Sequence, residues 1–215
     1  MNATQFAVWM PTLLHGLWVT VYASLLGILF SLVFGAVLAS LRALEIGWLS
    51  WIIKIYTVIF RNVPLLVVMY FIFYGLPTMG LHISAIVCGL IAITLNEGAF
   101  VAEILRGAIK NVRRGEVEAA ESLGLNRFQV VRHITFPLAV RSAVPALLGQ
   151  SSIMIKDTSL FSMIMIIDLT GAASQYYSKY FDPTSIWIVG LIYVLIFLIY
   201  SVIGRQIERR VQVRR

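Results

Sequence analysis

The chain has 215 residues, of which 60% are hydrophobic and only 13% are charged, and its mean hydropathy is +0.88. Soluble domains are typically about half apolar and a quarter charged, so this composition excludes an ordinary soluble protein and indicates one embedded in a bilayer. The net charge of +7 does not indicate a nucleic-acid partner, because the cationic residues gather at the ends of apolar segments.

Five apolar segments are long enough to cross a bilayer, which takes about 20 residues per helix. The second segment is interrupted by the basic residues Lys54 and Arg61 and by Pro64. A short turn is expected at 75–78. A further apolar stretch, 160–169, is too short to cross unless it re-enters the membrane. We therefore predict a single domain over residues 1–215, an all-α membrane protein of about five transmembrane helices. The five segments are 10–41, 48–74, 84–105, 134–155 and 185–204.

The positively charged residues predict the orientation of these spans. Fifteen of the 17 Lys and Arg residues fall on one side, leaving Lys156 and Lys179. Because positive charge accumulates in cytoplasmic loops, this side is expected to be the cytoplasm, with the N-terminus outside and the C-terminus inside. Segments 75–83 and 168–184 are then external. The fifteen are Arg42, Lys54, Arg61, Arg106, Lys110, Arg113, Arg114, Arg127, Arg132, Arg141, Arg205, Arg209, Arg210, Arg214 and Arg215.

The cysteine, histidine and tryptophan residues do not indicate a metal site or a catalytic site. Cys88 is the only cysteine, which excludes an intrachain disulfide and a cysteine metal cluster. His15, His82 and His133 are too far apart in sequence for a helical metal pair, so no metal site is expected, and no catalytic arrangement is evident. Tryptophans near predicted span ends are typical of an aromatic belt at the membrane interface. They are Trp9, Trp18, Trp48, Trp51 and Trp187.

The polar stretch between the third and fourth spans contains GEVEAAESLGLNRFQVVRHITFP, which begins at Gly115. Good helix formers over 116–123 predict a short helix, with acidic residues in its first turn, where the helix dipole favours them. Gly124 suits a left-handed C-cap, and Asn126 suits an N-cap with Gln129 completing a capping box. From the residues alone, this pattern is equally consistent with an ordinary amphipathic loop helix.

The same segment resembles a family motif. Glu118-Ala119-Ala120, three residues, Gly124, nine residues, then Ile134-Thr135-Phe136-Pro137 resembles the EAA motif of bacterial ABC importer permeases, with phenylalanine where leucine is usual. The resemblance implies the type I importer permease fold, in which segment 113–127 is the cytoplasmic coupling helix. The residues that would engage the ATPase are Glu118, Ala119, Ala120 and Gly124.

Three further segments resemble the polar amino acid branch of that family: FRNVPLL at 60–66, EGAFVAEILRGAI at 97–109 and KDTSL at 156–160. The resemblance implies a multi-pass subunit of the bacterial cytoplasmic (inner) membrane. Its partners would be an ABC ATPase dimer, a second permease, either the same chain or a homologous one, and an extracytoplasmic substrate-binding protein. The chain has no GxxxxGK[ST] motif, so ATP and Mg²⁺ are expected on the ATPase and no cofactor is expected here.

Polar and ionisable residues inside spans are costly and suggest a substrate path. For Glu103 we favour a structural role, in which its carboxylate forms an ion pair with Arg106 three residues later on the same helix. Asp157 has an alternative reading, in which 157–159 breaks the fourth helix and caps a short helix after it. The candidates for the substrate path are Asn96, Glu97, Gln150, Ser151, Ser152, Lys156 and Asp157.

The resemblance also predicts a substrate class. Permeases of this branch that move cationic amino acids often have glutamate where Gln150 stands, so a neutral or acidic amino acid such as glutamine, glutamate or aspartate is expected. A stand-alone channel or secondary transporter is one alternative, and it leaves the spacing of 115–137 unexplained. A membrane-embedded enzyme or structural anchor is another, although the enzyme would need a convergent cluster of His, Asp or Cys that the sequence does not suggest.

Overall fold

The computed structural model describes residues 2–212, and every described secondary-structure element is helical, as the composition predicts. Two π-helical turns, Phe71–Gly75 and Val131–Thr135, join α3 to α4 and α7 to α8, and a 3-10 segment, Thr158–Ile164, follows α8. The tail cations Arg214 and Arg215 lie outside the described residues. The helices are α1 (Ala3–Ala43), α2 (Gly47–Asn62), α3 (Leu65–Tyr70), α4 (Leu76–Thr78), α5 (Ala85–Lys110), α6 (Arg114–Ser122), α7 (Arg127–Val130), α8 (Phe136–Asp157), α9 (Leu169–Tyr180) and α10 (Thr184–Gln212).

The number of membrane-spanning helices agrees with the prediction. Within residues 2–212, four helical stretches are long and apolar enough to cross a bilayer: Thr4–Ala43, Ala85–Lys110, Arg127–Ile164 and Thr184–Val211. The interrupted pair of Gly47–Asn62 and Leu65–Thr78 makes a fifth if it forms one span. The predicted all-α membrane fold is therefore confirmed.

The helices contribute to two compact units, each built from three separate stretches of chain. Long helices such as α1, α5 and α8 supply residues to both. The expectation of a single domain stays a prediction. The first unit contains the described residues of Met1–Ile28, Leu65–Ile93 and Ser151–Arg205. The second contains the described residues of Leu29–Pro64, Thr94–Gln150 and Gln206–Arg215.

The core of the first unit forms where α1, α9 and α10 meet. Trp9 is buried rather than exposed in an interfacial belt, and its indole Nε1 donates to the Ala172 carbonyl at 2.9 Å. A side chain at Gly16 would approach the Asp168 carbonyl oxygen to 2.6 Å, so glycine allows α1 to lie against the start of α9. The buried cluster consists of Trp9, Leu13, Leu169, Ala173, Tyr176 and Val189.

Helix α9 lies within segment 168–184, for which the sequence predicts only an external connection. Asp168 caps its N-terminus, because the carboxylate accepts from the amides of Thr170 and Gly171 at 3.2 and 2.8 Å. Burial raises the pKa of the Asp168 carboxyl above its usual range, while these hydrogen bonds partly oppose the rise. Tyr193 of α10 donates a further hydrogen bond to it at 3.2 Å. This cap therefore links α9 to α10.

The predicted turn at 75–78 is displaced in the structure. Gly75 ends a π-helical turn, and residues Leu76–Thr78 continue as helix α4. The chain turns instead at Met79 and Gly80, where Gly80 has a φ of +82°. Proline at the second position of a helix is compatible with helical geometry, which explains why Pro77 does not end the helix.

In the second unit, small residues let α1 and α5 approach closely. A Cβ atom at Gly35 would lie 2.5 Å from Cγ1 of Val101, and one at Gly98 would lie 2.7 Å from Cδ1 of Phe34. Ala39 is also buried. Gly35 and Ala39 therefore serve packing within the chain.

The break between α2 and α3 is held from α5. Val63 is extended (φ −91°, ψ 128°), as expected for a residue before proline. The Asn96 amide donates to the carbonyls of Phe60 and Val63 at 2.7 and 3.1 Å. These bonds satisfy backbone oxygens at the end of α2, where the intrahelical donors run out.

Candidate functional site

Helix α6 forms the predicted coupling segment, and its end is defined by a Schellman motif. The Gly124 amide donates to the Glu121 carbonyl at 2.9 Å, and the Leu125 amide donates to the Ala120 carbonyl at 3.3 Å. Gly124 has a φ of +82°, the left-handed conformation that favours glycine. The predicted C-cap is confirmed, and it requires glycine for its backbone rather than for lack of space, because no atom lies within 4 Å of a Cβ built there.

The turn after α6 is fixed by a second cap. The Asn126 side chain accepts from the Gln129 amide at 3.0 Å, and the Gln129 side chain accepts from the Asn126 amide at 2.8 Å, which is the predicted capping box. Arg127 then forms an ion pair with Glu45, at 2.5 Å between Nη2 and Oε2. These contacts hold the start of α7 beside the turn between α1 and α2.

The coupling segment has one anchored side and one free side. Ala120 is only 4% exposed, whereas Glu118, Ala119 and Gly124 are exposed. Leu123, which lies next to Gly124, is 82% exposed, an unusually high exposure for a leucine. Phe128, on α7, is 56% exposed. The four residues of the EAA motif thus divide into one that packs α6 onto the chain and three that present a surface, to which Leu123 and Phe128 add apolar area.

Glu97 and Gln150 come together within the second unit. Glu97 of α5 is only 3% exposed, and its Oε2 accepts a hydrogen bond from Gln150 Nε2 at 2.6 Å. A buried carboxylate is costly unless it is hydrogen-bonded, and this amide supplies one bond. Asn96, the neighbouring candidate, uses its amide donors on the α2 break and is therefore occupied by a structural contact.

The remaining candidates lie at the end of α8, in the first unit. Ser151 is buried, Ser152 and Asp157 are half-buried, and Lys156 is exposed, with its Nζ 5.2 Å from the centroid of the Phe197 ring. The α-helix does end at Asp157, but that side chain accepts no capping hydrogen bond from the 3-10 segment that follows. The helical stretch continues through Asp157 into the 3-10 segment, and the predicted cap is wrong, because Asp157 itself keeps helical dihedral angles (φ −64°, ψ −23°).

The Glu103–Arg106 ion pair is confirmed and is part of a larger cluster. Arg106 Nε donates to Glu103 Oε2 at 2.8 Å, and its Nη2 donates to Oε1. Arg42 of α1 and Arg61 of α2 also approach this carboxylate. The sequence does not indicate these two partners, since only the spacing of three residues within α5 gives a local signal.

A cavity of about 1050 Å³ lies in the second unit beside the coupling segment. Charged residues from four helices line it: Glu103 of α5, Glu116 of α6, Arg141 of α8 and Glu208 of α10. None of the candidates for the substrate path lines it. Among residues 2–212, no group of three or more His, Cys, Asp or Glu side chains could hold a metal ion.

A protein family, individual relatives and a solved structure that match this chain are all described as parts of transport systems. The family described as binding-protein-dependent transport system inner membrane component matches residues 27–213. The chain is 34% identical over 213 residues to the glutamine transport system permease protein GlnP of Escherichia coli (strain K12), covering 96% of this chain and 97% of that protein. It is 35% identical over 202 residues to the nopaline transport system permease protein NocM of Agrobacterium fabrum (strain C58 / ATCC 33970). This match covers 89% of this chain and 84% of that protein. A crystal structure of an amino acid ABC transporter with histidines has a TM-score of 0.87 and 29% identity, covering 98% of this chain and 99% of that one.

Proposed function

Because this chain belongs to the family of binding-protein-dependent transport system inner membrane components, we propose that it imports a polar amino acid, with neutral or acidic ones favoured, by alternating access coupled to a separate ATPase. The chain is a membrane-spanning permease subunit of an amino acid ABC importer, and ATP is hydrolysed by another subunit. ABC importer permeases work with ATPase and binding-protein partners. Cofactor-free operation of this chain, with ATP and Mg²⁺ on the ATPase, is part of the proposal.

The proposed coupling mechanism is based mainly on one observation, the solvent-exposed side of α6. Glu118, Ala119 and Gly124 are exposed beside Leu123, while the caps at both ends of the 123–126 turn hold the backbone in one conformation. A short helix with small side chains suits docking into a groove of a partner protein. In the proposed cycle, ATP binding closes the ATPase dimer, which draws the coupling helices together and turns the spans outward. Hydrolysis then restores the inward-facing state.

The proposed substrate path uses polar and ionisable residues of the spans, which are considered separately for each unit. In the second unit, the Glu97 carboxylate would attract the ammonium group that every amino acid carries, and the Gln150 amide limits the negative charge there to one. In the first unit, Lys156 supplies a cation that can attract a carboxylate, near Ser151, Ser152 and Asp157. A neutral amide stands at position 150, so Glu97 has no second carboxylate at that position beside it to attract a cationic side chain. We therefore favour neutral or acidic substrates. The glutamine transport function of a relative that is 34% identical over 213 residues supports the same class.

The proposed orientation places the N-terminus outside and the C-terminus and segment 113–127 in the cytoplasm of a bacterium, with the chain in the inner membrane. A second permease, either a copy of this chain or a homologue, would complete the transmembrane part. The external binding protein would deliver substrate from the opposite face.

Binding-protein-dependent uptake by the full importer tests this function. We expect uptake of radiolabelled glutamine or glutamate to require ATP and the ATPase subunit, which should copurify with the permease. Unlabelled neutral or acidic amino acids should compete, and arginine should compete weakly. Competition by arginine alone would overturn the substrate class, and uptake without the ATPase would favour a secondary transporter.

A further inference from the structure

Three arginines surround the single carboxylate of Glu103 in the second unit. Arg106 donates to both carboxylate oxygens, and Arg42 Nη1 donates to Oε2 at 3.4 Å. Arg61 Nη1 lies 3.8 Å from Oε1, too far for a hydrogen bond but within ion-pair range. We call Arg42, Arg61, Arg106 and Glu103 the arginine cluster. Within residues 2–212, Glu103 is the only acidic side chain that forms an ion pair with these three arginines.

The arginine cluster has excess positive charge and unused donors. Three guanidinium groups and one carboxylate give a net charge of +2. Each guanidinium carries five N–H donors, and Arg61 makes no hydrogen bond to the described part of the chain. Its guanidinium carbon lies 5.4 Å from the centroid of the Phe100 ring, which holds the side chain in place. The Arg61 side chain is 39% exposed, the largest value of the three arginines, so an anion can reach it.

The surroundings of the cluster match the edge of a membrane. Arg42 lies in the last turn of α1 and Arg61 in the last turn of α2, while Arg106 precedes the end of α5 by four residues. Tryptophans mark membrane interfaces, and the two tryptophans of α2 are exposed at the end of the helix opposite Arg61. Helix α2 also exposes apolar side chains along its length, which can contact acyl chains. These α2 residues are Trp48, Trp51, Ile52, Ile55, Val58 and Ile59.

We propose that the arginine cluster binds the phosphodiester headgroup of an anionic phospholipid. Arginine forms bidentate hydrogen bonds with phosphate oxygens, and basic pockets between helices on the cytoplasmic side suit anionic headgroups. The apolar face of α2 favours a lipid over a soluble phosphate, because only the lipid gains contacts with it. Glu103 holds the three guanidinium groups together without cancelling their charge. The site is independent of which amino acid is transported.

Titration of the purified importer, assembled with its ATPase, tests the proposal by native mass spectrometry. After delipidation, phosphatidylglycerol should bind saturably and phosphatidylcholine should bind weakly. Arg61→Gln should weaken phosphatidylglycerol binding about fivefold, the loss expected for one cation near a headgroup. Arg42→Gln provides a second loss variant if Arg61→Gln does not assemble.

Lys110→Gln is the matched control. Lys110 is exposed one turn beyond Arg106 on the same helix, and its loss removes one positive charge without touching the arginine cluster. Binding should be unchanged in this variant. Equal weakening by Lys110→Gln and Arg61→Gln would overturn the site in favour of general surface charge. Equal binding of phosphatidylcholine would remove the role of headgroup charge, and displacement of the lipid by millimolar inorganic phosphate would assign the cluster to a soluble anion.

Discussion

Contacts between residues a few positions apart shape the backbone of the coupling segment and the charged end of α5. Gly124 adopts the left-handed conformation expected of a C-cap, and Asn126 and Gln129 form the capping box expected from their spacing. Glu103 and Arg106, three residues apart on one helix, form the expected ion pair. In each case the partners lie within four residues, so the sequence already contains the geometry.

Gly124→Ala should weaken coupling without preventing membrane insertion. A non-glycine residue in the left-handed region costs about 1 kcal/mol, and the space around this position is open, so strain in the backbone is the whole effect. We expect less substrate transported per ATP hydrolysed, and faster amide hydrogen exchange at residues 121–125. Asparagine tolerates this conformation better than alanine, so Gly124→Asn should retain more coupling.

Gly115→Ala is the control for this comparison. Gly115 lies in the first turn of the same helix, has no positive φ and has no atom within 4 Å of a built Cβ. Its substitution should leave coupling unchanged or slightly stabilise α6. If Gly115→Ala impairs coupling as much as Gly124→Ala, then the conformation of the C-cap is not the cause.

At the scale of elements, the breaks and extra helices depend on distant contacts. Pro64 predicts the interruption between α2 and α3, but it does not indicate that Asn96 of α5 bonds to both carbonyls at the break. Helix α9 has several polar residues and no apolar run long enough to cross a bilayer, so it was missed. It forms because Asp168 caps it and because Leu169, Ala173 and Tyr176 pack in the core with Trp9.

Asn96→Ala should destabilise the break between α2 and α3. The substitution leaves two backbone carbonyls without their donors and creates a small cavity, at a cost of about 1–3 kcal/mol. We expect a lower thermal unfolding midpoint for the purified importer in detergent. Asn62→Ala is a suitable control, because Asn62 is exposed and donates only to the Val58 carbonyl of its own helix. Equal midpoints for Asn96→Ala and wild type would contradict the structural role of Asn96.

At the scale of the molecule, charge asymmetry predicts the orientation that the proposed mechanism requires. The coupling segment must face the ATPase in the cytoplasm, and the loop around Met79 must then face outward. Met79 is 74% exposed, and a side chain at Gly115 would meet no atom within 4 Å, so both positions accept a reporter cysteine.

Cysteine labelling tests this orientation in a variant that lacks the buried native thiol, Cys88→Ala. Met79→Cys should react with a membrane-impermeant maleimide in intact spheroplasts. Gly115→Cys should react only after the membrane is permeabilised. The reverse pattern would invert the predicted topology and would place the EAA segment out of reach of a cytoplasmic ATPase.

The helical membrane class, the expectation of about five spans, the caps of the coupling segment and the family resemblance can all be predicted from the amino-acid sequence. These depend on composition, on hydropathy over about 20 residues and on spacings of a few positions, all of which are properties of neighbouring residues. The contacts between polar residues of different helices, in contrast, become visible only in the folded chain. Glu97 with Gln150, Asn96 with the α2 break, and Arg42 and Arg61 with Glu103 are pairs separated by 33 to 61 positions. Their contacts arise from helix packing, which brings together residues that no local pattern connects.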